Sequence, residues 1–153
     1  MLDQNDGAYY TTIGNGTQIP RDSVMIISRN SDKVAFEAYW GVTLDSDVVF
    51  LNSGNYLVIN GSDYFKLFAP GNVLVDGPTM STDSGAGESH QRSDFGAADV
   101  VGNWSVVDDS LGTPGTVPTI TGTPPDHAII SEFSDAVGTG NYIYEFVEIY
   151  CAP

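Results

Sequence analysis

Basic side chains are scarce: 5 Lys plus Arg stand against 20 Asp plus Glu in 153 residues, a formal net charge of −15. A protein that reads the backbone of nucleic acid needs a cationic surface to displace phosphate counterions, and five scattered cations exclude one. The same deficit weighs against an anionic membrane as partner. Long apolar runs are missing too. The strongest, Val24 to Ile27, falls far short of the ~20 residues that span a bilayer and reads as a buried strand, so no membrane insertion is expected. Cysteine is confined to Cys151, which excludes an internal disulfide framework and reads as a strand-end thiol, an intermolecular bridge staying open. The only histidines, His90 and His127, have no Cys or His at ligand spacing, which argues against zinc. No stretch shows helical periodicity, so essentially no helix is expected. No leader precedes Leu2, since the opening residues are polar and acidic; the chain is then either cytoplasmic or a mature or excised piece of something longer.

What is present is strand chemistry. Hydrophobic residues at 41% suffice for a core, and charged residues at 16% fall below the ~25% typical of globular chains, which argues against disorder. Runs rich in Val, Ile, Tyr and Phe alternate with Gly, Asn, Asp and Pro, and predict strands at 8–13, 23–28, 34–40, 48–51, 55–60, 64–68, 73–76, 90–93, 104–107, 128–133 and 142–150. In 64–68, Lys66 faces away from Phe65 and Leu67, as a half-buried strand demands. Such a chain is all-β, most economically a two-sheet sandwich, with Ile26, Phe65, Leu67, Val75 and Trp104 in its core.

One composition break divides the chain. Residues 112–125 carry no charge, four prolines and five threonines, and read as an extended linker, because proline lacks the donor a central strand needs. The expected organisation is a body at 1–111, this linker, and a strand pair at 126–153 too small to fold alone.

The residues resemble the lamin-tail domain family, an immunoglobulin-like sandwich. The body carries Gly16-Thr17-Gln18-Ile19-Pro20 before the Val24–Ser28 strand, Leu67-Phe68, Gly71, Val75-Asp76, Ser89-His90-Gln91-Arg92, Trp104 and Thr113-Pro114-Gly115. The tail carries Ile129-Ile130-Ser131-Glu132 and Glu145-Phe146-Val147-Glu148-Ile149-Tyr150. In the family the latter two segments come first; here they come last, Cys151 takes an Asn position, and a Leu-x-Gly-Trp stretch is missing unless residues 1–3 are its remnant. The resemblance therefore implies an incomplete immunoglobulin-like sandwich of the lamin-tail type that the C-terminal pair completes, in cis or in trans. It also implies that Ser89 and Arg92 are structural, Arg92 pairing a carboxylate.

Tests for chemistry yield no catalytic constellation. Ser89 and His90 are adjacent on a strand and point to opposite faces, and Glu145 and Glu148, three apart, do the same. Asp3-Gln4-Asn5-Asp6-Gly7 and Asp45-Ser46-Asp47 resemble fragments of a calcium loop without its full ligand set, so calcium is a weak expectation and no other cofactor arises. Sequons at Asn15, Asn60 and Asn103, and the linker residues Thr116, Thr119, Thr121 and Thr123, are candidate glycan acceptors. Tyr9, Tyr10, Tyr39 and Trp40 are candidates for a sugar-stacking platform, core residence being the alternative.

Two functions follow as expectations. The first is a structural subunit or tandem repeat of an extracellular filament, in which Ala128, Ile130, Phe133, Tyr144, Phe146 and Ile149 anchor the tail in the next copy. Fourteen linker residues at ~3.1 Å each reach roughly 43 Å, enough for either placement, and the stiffness of Pro114, Pro118, Pro124 and Pro125 favours trans. The second is a circularly permuted, monomeric carbohydrate- or protein-binding module of a secreted protein. Few lysines and the Thr/Pro linker point outside the cell for both, and neither is an enzyme.

Overall fold

The structure, a computed structural model, describes residues 1–7, 9–59, 63–80, 87–93, 95, 103–117, 119, 123–137 and 142–153. These form two sheets and one short α-helix. The smaller sheet contains β1 (Leu2–Gln4), β2 (Tyr9–Thr11), β5 (Phe65–Ala69) and β6 (Val73–Asp76) in the antiparallel order β2-β1-β5-β6. The larger contains β3 (Ser23–Ser28), β4 (Val49–Asn52), β7 (Glu88–Arg92), β8 (Trp104–Asp108), β9 (Ile129–Ser134) and β10 (Phe146–Cys151) in the order β4-β3-β10-β9-β7-β8. Only β3 and β4 run parallel. The all-β two-sheet sandwich is therefore the architecture of this chain.

The larger sheet is covered on both faces, which explains why β3 is apolar without alternation. Met25 and Ile27 enter the core between the sheets with Leu2, Phe65, Leu67, Trp104, Ile130, Phe133, Val147 and Ile149, while Val75 packs against it half-buried. Val24 and Ile26 face a second core with Phe36, Leu44, Phe146 and Tyr150 on the outer side.

That second core corrects the expectation at 34–40, where no strand forms: Lys33–Trp40 is the helix α1. Asp32 caps it by accepting from the Ala35 amide at 2.9 Å, and Gly41, at φ 66°, ends it. Phe36 and Trp40, four residues apart, then lie on one face, both edge-on to Phe146 at 5.7 and 5.1 Å. The β-branched and aromatic content of this stretch suggests a strand, and the caps outweigh it. Helix α1 lies in the crossover that the parallel β3–β4 pair requires.

A second correction concerns 55–60. Residues 55–59 form no strand, and Asn60 lies outside the described residues. The backbone there is satisfied by side chains instead of a ladder: Gln4 bonds both polar groups of Val58, and the Glu145 carboxylate accepts from the Ile59 amide at 2.8 Å. Leu57 and Ile59 are nonetheless buried. Conversely, the polar opening of the chain does form a strand, β1, held between β2 and β5.

Candidate functional site

The C-terminal pair supplies the middle of the larger sheet. Strand β10 lies between β3 and β9, and β9 lies between β10 and β7. In this single chain the pair folds back on its own body. All six residues of β9 and the first five of β10 are buried. Among the tail anchors named above, Ile130, Phe133, Phe146 and Ile149 are fully buried. Ala128 is half-buried against the inter-sheet core. Tyr144 stacks on Tyr39 of α1 at 4.4 Å, and the Trp40 indole donates to the Tyr144 carbonyl at 3.0 Å. Phe133 is the aromatic hub, with Phe65, Trp104 and His90 ring centres at 5.2, 5.3 and 4.7 Å.

Three polar fastenings hold the pair to the body. At the first, Asp76 on β6 accepts from the Ile130 amide at 2.8 Å and from Arg92 on β7 at 2.9 Å, while Arg92 donates to the Ile130 carbonyl at 3.2 Å. A buried ion pair thus joins both sheets and grips the β9 backbone. At the second, Glu145 accepts from Arg29 at 3.3 Å, from the Ile59 amide and from the Tyr142 amide at 3.0 Å. Burial pushes its carboxyl above the ordinary range.

The third fastening is a pair of glutamates that face each other across β9 and β10. Glu132 accepts from the Ser89 hydroxyl at 2.5 Å, the Gln91 amide at 3.2 Å, and the Thr113 amide and hydroxyl at 2.9 and 2.8 Å. Glu148 accepts from the Ser131 hydroxyl and the Gly115 amide, both at 2.7 Å. Loss of water, reinforced by the negative charge of Glu132, raises the Glu148 carboxyl to about 8. The start of the linker therefore crosses the outer face as a strap, Thr113 over β9 and Gly115 over β10. Only glycine suits position 115: its φ is 83°, and a Cβ there would overlap the Leu44 side chain.

This glutamate pair is what sequence reasoning missed. It assigned Glu145 and Glu148 to opposite faces without finding Glu132 as partner, because the facing depends on the strand register, in which Phe146 pairs Ser134 and Glu148 pairs Glu132 before a bulge at Ser131 shifts the pairs that follow. Ser89 and His90 do diverge, Ser89 to Glu132 and His90 onto Phe133, where burial holds the imidazole below its usual range. Arg92 pairs Asp76.

The remaining candidates are scattered. Asp3 accepts from the Gly7 amide at 2.7 Å, Asp6 bonds Lys66 and the Tyr64 hydroxyl, and among the described residues no group of three or more His, Cys, Asp or Glu is placed to hold a metal ion. Asn15, Thr116, Thr119 and Thr123 are exposed and Asn103 is half-buried, while Asn60 and Thr121 lie outside the described residues. The four aromatic platform candidates separate: Tyr39 and Trp40 pack on the tail, whereas Tyr9 and Tyr10 stand 43% and 57% exposed on β2. Cys151 is half-buried at the end of β10. No family model, curated protein or solved structure matches the chain.

Proposed function

We propose that the chain is a non-catalytic module of an extracellular or cell-surface protein, a lamin-tail-like sandwich closed by its own C-terminal strand pair. What supports this reading is that the pair can fold back on its own body with the Ile130 backbone and the Glu132, Glu145 and Glu148 carboxylates all given buried hydrogen-bond partners, two of them by the linker strap. A module of this kind displays ligand-binding surface and carries no reaction. Exposed Asn15, Thr116, Thr119 and Thr123 are its candidate glycan acceptors.

The central place of β9 and β10 supports a second reading, a filament grown by donor-strand exchange. Withdrawal of the pair leaves β3 and β7 each with an unpaired edge, which a neighbour's pair fills with the same contacts. Such a contact is heterologous and propagates unless it closes a ring. Light scattering on the purified full chain decides between the two. A monomer mass supports self-closure; a ladder of multiples, or fibres in a micrograph, supports exchange and overturns self-closure.

A further inference from the structure

The one side of the sandwich where β2 and β4, edge strands of different sheets, line a common wall carries two clefts that share Tyr10. The first, about 290 Å³, runs between Tyr10 and Tyr56 over Thr12, Asn52 and Ser53. The second, about 340 Å³, runs from Tyr10 over Asp3, Asp6 and Asn72. Each has the volume of a small-ligand cleft. Tyr10 is the ridge between them: its neighbour Thr11 turns inward and is 7% exposed, while Tyr10 stands outward at 57%. Tyr56 is 63% exposed on the far wall. In the floor of the first cleft the buried Thr11 hydroxyl has no hydrogen-bond partner among the described residues.

From this arrangement we infer that the Tyr10 ridge binds a neutral, extended glycan that lies across both clefts. The inference rests on the module reading above and names its ligand class. A tyrosine ring offers a flat apolar face with a polar tip, which matches the CH-rich face and hydroxyl rim of a pyranose. On either side stand short hydroxyl, amide and carboxylate groups, the partners that sugar hydroxyls require. No Lys, Arg or His side chain lines either cleft; the second is lined by Asp3 and Asp6, with Met1 beside them and Lys66 paired to Asp6, so no uncompensated cationic side chain is there to hold an acid sugar, and the net charge of −15 disfavours uronic or sulfated sugars. A path across two clefts suits a chain of sugar rings better than a single one.

Affinity electrophoresis of the full chain through gels containing mannan, xylan, galactomannan or mixed-linkage β-glucan tests this, with polygalacturonate as the acidic control. Retardation is expected in at least one neutral glycan. Tyr10→Ala should weaken it about tenfold and Tyr56→Ala several-fold, both variants keeping the parent circular dichroism spectrum. Val73→Ala, on the opposite edge of the smaller sheet, should migrate as the parent does. Free migration in all four neutral gels, retardation by polygalacturonate alone, or a Tyr10→Ala variant retarded as strongly as the parent would each overturn the inference. A monomeric chain that migrates freely loses the glycan site and keeps the closed module; a polymeric one loses the closed module, whatever it binds.

Discussion

Raising the pH should loosen the tail, and Glu148 sets the size of the effect. In the unfolded chain its carboxyl titrates at the ordinary value of 4.5; in the fold, burial and the facing Glu132 lift it to about 8. The folded state therefore holds this proton where the unfolded state has released it, so the stabilisation is fully present below 4.5 and is lost as pH rises through 8. A span of about 3.5 pH units at ~1.36 kcal/mol each amounts to on the order of 5 kcal/mol, comparable with the whole stability of many domains, ~5–15 kcal/mol. Asp135 acts in the same direction, its carboxyl raised to about 7 by burial and by the charges of Glu145, Asp63 and Asp109. Urea unfolding followed by tryptophan fluorescence at about pH 5 and about pH 8.5 should show the midpoint falling by roughly 2 M. Glu148→Gln keeps the shape and cannot ionise. It should stay within ~1 kcal/mol of the parent at acidic pH, exceed it by several kcal/mol at alkaline pH, and retain only the slope due to Asp135 and its neighbours. A parent that gains stability as pH rises, or a Gln variant with the parent's full slope, would refute the argument.

Deleting residues 126–153 should leave an insoluble or molten body, since β3 and β7 lose the strands between them, and adding the tail back as a peptide should restore solubility in a sedimentation assay. Phe133→Ala removes the hub of the inter-sheet core and should cost about 3–5 kcal/mol in thermal or urea unfolding. Arg92→Leu strands the buried Asp76 carboxylate beside the β9 backbone and should cost about 3–5 kcal/mol, a loss that the double change with Asp76→Leu recovers only in part in a mutant cycle, because the Ile130 amide and carbonyl then lose these partners. Gly115→Ala meets both an unfavourable φ and the Leu44 side chain, and should raise amide exchange at Gly115 and along β10.

Local chemistry by itself determines a large part of this molecule. The alternation of Phe65, Lys66 and Leu67 specifies a half-buried strand, and the unbroken run from Val24 to Ile27 specifies one covered on both faces. The four prolines and the missing charge of 112–125 mark off the last two strands from the residues before them. Even helix α1 is written locally, in Asp32 and Gly41, although the strand-forming residues between them obscure it. Tertiary structure alone decides which groups meet. The opposition of Glu132 and Glu148 depends on the register in which β10 pairs β9, and the strap over them depends on a crossover that brings Thr113 and Gly115 to strands that follow them in sequence. The exposure of Tyr10 depends on β2 lying at an edge, with β4 of the other sheet beside it. Backbone preference acts over a few residues and is legible in their spacing; strand neighbours, register and solvent exposure are set by contacts between separate segments, up to the more than a hundred residues between Ser28 and Phe146, and no spacing within either segment records them.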